Sequence, residues 1–481
     1  MRTFPPDVSL PSREVSVFRS PAKAHLGSAI TAAAIAVPAA AQFSFAPVIN
    51  NPLPEGHTPT SLVLRDLDAD GKLDAIVTGR NLTDEAVRRT RVTMLRGQGD
   101  GRFLPWQELL VPGGTGEWVV AEDFDRDGRL DLAVTISGDV GSIEVFRGTP
   151  TGFVPVDSLV TEREPRGLAA ADFNGDGFLD LANTNYSSSS VTVFLGDSSG
   201  GFAPWRSIRV ARHSGGIPFP NQVFVGDLDG DGDPDLACTN IGGSRVNVVR
   251  NLGGGQFEVP VDWRIPRIPG ERPAMTGGKL EDVDLDGDLD VVVGALMLTT
   301  QQRVYVFRNQ GDATFGPREF MVSSPAGYAW APALGDLDGD GRKDLALGTA
   351  LAGFISLNRN ESASPSGPLV FPWVPVFLVN ATFNRDVQMV DIDGDCDLDL
   401  VGIEIAISSV YTFLNETPQA NGCGGGGVAS APERTAKVVP STIPLPAGDA
   451  EAAARLLEDF RPGSGAERAA REAAAPKGAK R

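Results

Sequence analysis

The acidic pattern D-x-[DN]-x-D-(G)-x-x-D returns seven times along this chain, beginning at Asp66, Asp123, Asp172, Asp227, Asp282, Asp336 and Asp391. Successive starts lie 57, 49, 55, 55, 54 and 55 residues apart. A near-constant period of this length marks a repeat architecture, in which one supersecondary unit is copied and neighbouring copies bury each other's apolar faces. The pattern predicts an all-β, seven-bladed β-propeller of four-stranded antiparallel blades, with one metal loop in each blade.

The carboxylates are spaced for a cation. Loop 1 offers Asp66, Asp68, Asp70 and Asp74 at positions 1, 3, 5 and 9, with the carbonyl of Lys72 at position 7. Loop 2 offers Asp123, Asp125, Asp127, Asp131 and the carbonyl of Arg129; loop 3 offers Asp172, Asn174, Asp176, Asp180 and that of Phe178. Loop 4 supplies Asp227, Asp229, Asp231, Asp235 and Asp233; loop 5 supplies Asp282, Asp284, Asp286, Asp290 and Asp288. Loop 6 has Asp336, Asp338, Asp340, Asp344 and Arg342, and loop 7 has Asp391, Asp393, Asp395, Asp399 and Asp397. An all-oxygen donor set of this kind suits calcium and not zinc or copper, and glycine at position 6 permits the sharp turn. Up to seven Ca2+ ions are expected. Loop 7 is the doubtful one, because Cys396 stands at position 6 and its site is expected to be distorted or empty. Ion-free Asp/Gly hairpin turns are the alternative reading, which suits one copy better than seven in register.

An EF-hand is excluded. It needs an acidic ligand at position 12 between two helices, whereas position 12 here is Val77, Val134, Asn183, Cys238, Val293, Leu347 and Gly402. The flanks, such as "SLVLRDL" and "DAIVTG", read as strands, so each loop is a hairpin turn.

The net charge of -20 is mostly a signature of these loops, which hold 30 Asp; seven calcium ions would bring it to about -6. The acidity argues against nucleic-acid binding, which needs a basic face. Three histidines, His25, His57 and His213, leave little material for a histidine-based catalytic or zinc site; the first two fall outside the repeats and the third in a connector. Of three cysteines, Cys238 lies in a strand as a buried thiol. A Cys396–Cys423 bridge would tie the end of the ring to blade 7; two unbridged thiols are the alternative.

Residues 1–41 read as a signal peptide or leader: Arg13, Arg19 and Lys23 precede an apolar run from Ala29 that ends in Ala39-Ala40-Ala41. The run is too short to span a membrane. Export to the extracellular space, cell surface or periplasm is expected, with a misplaced start or disordered leader as the alternative. The ring is assigned to 42–416, a Gly/Pro-rich linker to 417–448, and an Ala/Glu/Arg-rich tail, disordered or partly helical, to 449–481.

Within the ring every repeat follows one order: strand, Asp loop, strand, variable loop, third strand such as "RVTML" or "VYVF", glycine turn, then Phe and Pro opening a fourth strand. Six such pairs follow loops: Phe103/Pro105, Phe153/Pro155, Phe202/Pro204, Phe257/Pro260, Phe315/Pro317 and Phe371/Pro372. The seventh, Phe45/Pro47, lies at the N-terminus, so the first strand is expected to complete the last blade and close the ring. The Asp loops and glycine turns share one face. The opposite face carries the variable connections Arg80–Thr90, Thr184–Ser190 with Tyr186, Ala211–Asn221 with His213 and Phe219, and Ser323–Trp330 with Tyr328. Variable loops on a rigid scaffold are where binding usually resides, although each aromatic there is more often simple packing.

The motif "GDLDGDGRKDLA" (335–346), varied as "GDLDGDGDPDLA" (226–237) and followed by a G-x-G-x-F turn, resembles the FG-GAP/VCBS repeat family, whose repeats build the integrin α-subunit type of propeller. The resemblance covers about 43–416. It implies structural calcium in the hairpin loops, an extracellular setting and ligands on the opposite face. Cys396, Asn174 and the weak turn before Phe371 depart from the family pattern. Three functions compete: a secreted binding or adhesion module for a protein or glycan, a calcium-dependent carbohydrate-active enzyme such as a polysaccharide lyase, and an envelope-assembly protein working through its tail. A lyase needs a positioned base. No Lys, Arg, His or Tyr cluster recurs in the variable loops, so the non-enzymatic module is favoured.

Overall fold

The computed structural model describes residues 43–419, apart from 82–88, 139, 211–218, 243, 266–272, 297–301, 317–318, 325–327, 351–353, 364–366 and 378–383. The leader, Cys423 with its expected bridge, and the tail lie outside the described residues, as do His25 and His213.

All regular structure in the described residues is β. It forms seven four-stranded antiparallel sheets. Blades 1 to 6 occupy 57–112, 115–160, 165–209, 220–264, 274–324 and 328–377, each in the simple order of four successive strands. Blade 7 takes Asn384–Val390, Asp399–Glu404 and Ser409–Phe413 from the C-terminal side and Ile49–Pro52 from the N-terminal side. Ile49 pairs with Thr412, and Phe45 bridges Asn415, so the ring closes where the seventh Phe/Pro pair predicted.

Position in the blade follows from side-chain chemistry. The second strands Asp180–Asn185 and Asp235–Asn240 are buried at every residue, because a neighbouring blade covers each face. Small residues such as Ala182, Thr184, Ala237, Cys238 and Thr239 fill these strands, which suits a surface packed on both sides. The fourth strand Phe202–Arg209 is buried only at Phe202 and Ile208 and forms the polar rim. Prolines 105, 155 and 204 sit at bulges in the third–fourth ladders of blades 1 to 3, where the missing N–H costs no regular ladder bond.

The core is divided among the seams between blades. Val77 and Leu95 of blade 1 meet Val401 and Ile403 of blade 7; Phe224 and Val248 of blade 4 meet Val293 and Phe307 of blade 5. Replacing one such residue by alanine, Leu236 for instance, would cost about 2–5 kcal/mol. The turn phenylalanines 103, 153, 202, 257, 315 and 371 are all buried in these seams, as expected.

Every first strand carries a register shift at the same place, between Pro59 and Ser61 in blade 1 and between Gly116 and Val119 in blade 2. The residues at these bulges converge on the ring axis, at the end of the strand remote from its Asp loop.

Candidate metal centres

Each Asp loop is a cage of its own backbone amides folded round its carboxylates. The position-1 carboxylate accepts the N–H of position 6 at 2.7–3.1 Å in all seven loops, and position 5 accepts that of position 7 at 2.8–3.1 Å. Short Asp side chains that bond the chain two to five residues on hold the loop in shape. The turn needs a left-handed residue at position 6, where the six glycines have φ of +85° to +100°. Cys396 takes the same conformation at +75° and keeps the bond from its N–H to Asp391. Loop 7 is therefore not distorted as the sequence suggested; its backbone follows the other six.

The position-9 aspartates begin the second strands and clamp two turns together. One oxygen of each accepts the N–H of position 2 at 2.9–3.1 Å. The other accepts an N–H from the turn after the third strand at 2.7–2.9 Å. Burial pushes their carboxyls up against the pull of those bonds, to about 6 in Asp180, Asp235 and Asp399 and about 7 in Asp290 and Asp344. Asp74 and Asp131 are raised for the same reason.

Carboxylate oxygens of positions 1 and 3, joined by position 5 in loops 1 and 2 and by position 9 in loops 4, 5 and 6, lie within 4.8 Å of one another. The donor set is entirely hard oxygen, as calcium requires. Moreover, Oδ1 of Asp229, Asp284 and Asp397 is buried without any hydrogen-bond partner. A buried carboxylate oxygen without a proton donor is costly, and a cation in the loop removes that cost. These residues fit a calcium ion. At position 7, Lys72 and Arg129 turn their side chains back onto Asp70 and Asp127, at 3.5 and 2.9 Å, and Arg342 pairs with Asp340.

The sequence reading missed one element of the site. An arginine ending the third strand reaches the outer oxygen of the position-3 aspartate: Arg96 to Asp68 at 3.0 Å, Arg147 to Asp125 at 2.8 Å, Arg250 to Asp229 at 3.3 Å, Arg308 to Asp284 at 3.1 Å, and Arg359 to Asp338. Burial and neighbouring carboxylates raise Asp229, Asp284 and Asp338, and the guanidiniums pull them back. The signal was present as Arg-Gly or Arg-Asn directly after the third strand. Loops 3 and 7 instead have Leu195-Gly196 and Leu414-Asn415.

On the opposite face, the residue six before each loop's first Asp stands at the axial bulge. These are Thr60, Glu117, Arg166, Asn221, Thr276, Trp330 and Arg385. They line a cavity of about 20 Å3, room for about one water. Arg385 Nη2 lies 3.1 Å from Glu117 Oε2, and Arg166 Nη1 donates to Asn221 Oδ1 at 3.2 Å.

Tyr186 packs, as expected for most aromatics of these connections: it is buried, stacked on Phe219 at 4.8 Å, with the Arg166 guanidinium 3.8 Å from its ring centre. One expectation is corrected. His57 is not outside the repeats: it starts the first strand of blade 1, buried, with Nδ1 3.1 Å from Thr93 Oγ1, and burial lowers its pKa to about 3. Cys238 is the buried thiol expected, pushed up to about 12. Among the described residues no helix is long and apolar enough to cross a membrane.

A closed ring of seven blades, each with an acidic hairpin between its first two strands, defines a repeat β-propeller. The chain belongs to the FG-GAP-like repeat family, whose model matches residues 86–134, 123–183, 172–238, 227–293 and 282–347, more than half its length. No curated protein sequence matches it. Among solved structures it is similar to BBS1N, crystallised in complex with ARL6DN and soaked with mercury, at 13% identity and a TM-score of 0.50, over 79% of this chain and 98% of that one. Sqt1 of Saccharomyces cerevisiae (10% identity, TM-score 0.48, 77% and 100% covered) and an N-acetylglucosamine-recognising lectin of Agrocybe aegerita (20%, 0.40, 66% and 80%) are less similar. These likenesses bear on the fold alone.

Proposed function

We propose that this protein is an exported, calcium-binding propeller that acts as a binding or adhesion module, holding a protein or glycan on the face opposite its Asp loops. The contrast between the two ends of the first strands supports this reading. At one end, 27 of the 28 residues at positions 1, 3, 5 and 9 are Asp. At the other, the equivalent residues are Thr60, Glu117, Arg166, Asn221, Thr276, Trp330 and Arg385. One end repeats a structural task seven times; at the other the residue changes between blades, and although Thr60, Glu117, Thr276 and Trp330 are themselves buried at the axis, the connections of that face differ in length and chemistry, as binding loops on a rigid scaffold do. Its axial cavity is too small for a sugar ring, so a partner lies across the face. Of the charged groups there, Arg385 pairs with Glu117, Arg166 donates to Asn221 and Asp386 accepts the Leu62 N–H, so each is engaged in holding the axis together, which favours a non-enzymatic role.

The test is binding of the full chain to glycan and polysaccharide panels and to pulled-down proteins, in calcium and in chelator. Ile407 is exposed on the variable face and Val259 on the loop face. Ile407→Trp should weaken binding tenfold or more while Val259→Trp leaves it unchanged. The reverse pattern would refute the face assignment, and turnover of a bound polysaccharide would refute the non-enzymatic role.

A further inference from the structure

The seven Asp loops act as internal controls for one another. In loops 1, 2, 4, 5 and 6 a guanidinium holds the outer oxygen of the position-3 carboxylate. In loop 3 both partners change together: Asn174 replaces the aspartate and Leu195 the arginine. Loop 7 alone breaks the pairing. Asp393 keeps its carboxylate, and Leu414 stands where the arginine should be. Loop 7 also has aspartate at all five odd positions, 391 to 399, a density matched only in loops 4 and 5, which carry Arg250 and Arg308. Asp397 Oδ1 is among the buried oxygens without a hydrogen-bond partner.

An arginine is charged at every relevant pH. Placed about 3 Å from a ligand carboxylate, it relieves repulsion in the ion-free loop and opposes a second cation entering it. Five loops thus contain part of their own counter-charge. Loop 7 has the carboxylates without that arginine.

Loop 7 also sits at the seam where the first and last strands of the ring meet. Asp399 Oδ1 accepts the N–H of Asn415 at 2.7 Å, and Asn415 bridges Phe45. On either side, Ala46 N–H donates to the Leu414 carbonyl at 2.9 Å and Glu416 N–H to the Ser44 carbonyl at 2.7 Å. The order of this one loop is therefore coupled directly to the pairing of N-terminal and C-terminal segments.

We propose that loop 7 is the tightest cation site of the ring and that the ion bound there latches the ring closed. The proposal rests on the calcium reading above. Leu414 and the five arginines are positioning residues: they set the affinity of a site they do not themselves form.

The test uses the full chain, stripped of ions and titrated with calcium against a chromophoric chelator, with hydrogen exchange followed at the amides of Ala46 and Glu416. The tightest binding step should coincide with at least tenfold slower exchange at both amides. Leu414→Arg should weaken that step tenfold or more and leave the weaker steps alone. Arg308→Leu, which leaves blade 7 untouched, should tighten one of the weaker steps by a similar factor and carries the test if Leu414→Arg does not fold. A tightest step unmoved by Leu414→Arg, or removed by Asp284→Asn in loop 5, would overturn the latch while leaving calcium binding intact. A full chain that binds no calcium in any step would overturn the calcium reading itself.

Discussion

Blades 1 to 3 and blades 4 to 7 meet the same structural demand at one backbone position with different residues. Just after the third strand, the position-9 aspartate must receive an N–H from a turn lying close over the loop. In blades 1 to 3 that residue is Gly97, Gly148 or Gly196, and a Cβ there would lie 2.0–2.2 Å from the carbonyl oxygen of Leu73, Leu130 or Leu179. In blades 4 to 7 it is Asn251, Asn309, Asn360 or Asn415, and its amide donates to the equivalent carbonyl at 3.0–3.3 Å. Three of these amides also reach the preceding blade's loop, bonding the carbonyls of Phe173, Leu228 and Leu337 at 2.7–2.8 Å. The fourth strands differ in step, 8–10 residues long in blades 1 to 3 and 4–6 in blades 4 to 7. Where the outer hairpin is long, its own ladder holds the turn. Where it is short, an asparagine does so instead, bridging two blades in blades 4, 5 and 7.

Removing the cations should produce the largest effect and should spare neither half, because both carry the same loops. A site filled at a hundred times its dissociation constant stabilises by about 2.7 kcal/mol. Several such sites should lower the calorimetric midpoint by many degrees in excess chelator. An unchanged midpoint would remove calcium from the account.

The next effect separates the halves. Gly148→Ala drives a methyl group into the Leu130 carbonyl and should cost about 3 kcal/mol by overpacking. Asn309→Ala removes two amide bonds, one to the Leu228 carbonyl, which keeps the Ala313 N–H, and one to the Leu289 carbonyl, and should cost about 2 kcal/mol. Gly148→Asn should be as damaging as Gly148→Ala. If denaturant melts show that Gly148→Asn is tolerated, the two halves are interchangeable and the distinction fails.

How much of this was legible depended on how far apart the interacting residues are in sequence. The Asp spacing and the displaced Phe45/Pro47 pair were enough for the blade count and the closure, because both are set by strictly local grammar repeated in register. The arginines were not read, although Arg-Gly or Arg-Asn ends the third strand in five of the seven blades. Arg308 meets Asp284, 24 residues earlier, and only the folded hairpin pair brings them together. His57 was misplaced for a related reason: only its pairing with Asn81, 24 residues on, makes it the start of the first strand of blade 1. Alternation of side chains does not say which blade lies against which face.

A smaller effect is the response to pH, which both halves should share. Without cations, Asp180, Asp235, Asp290, Asp344 and Asp399 have pKa values raised by burial above the unfolded value of 3.8, to about 6 or 7. Between those values the folded state holds more protons than the unfolded one, so stability falls as pH rises. In chelator the melting midpoint should therefore decline from pH 4 to pH 7. In calcium, which binds the ionised carboxylates, it should climb over the same range. A decline in both conditions would show that the position-9 aspartates act only as clamps between turns.

The smallest effect belongs to loop 7, the one member of blades 4 to 7 whose turn departs from the others. Cys396 is held at φ +75°, a conformation that costs an L-residue about 1 kcal/mol and glycine almost nothing. The amide bond to Asp391 is made by the backbone and survives any side chain. Cys396→Gly should therefore be more stable than Cys396→Ala by about 1 kcal/mol, since both lose the thiol and only one keeps the strain. The alanine variant makes the comparison independent of whatever the sulfur itself contacts. If the two melt alike, the loop has relaxed its backbone, and the uniform turn geometry of the seven loops does not extend to the seventh.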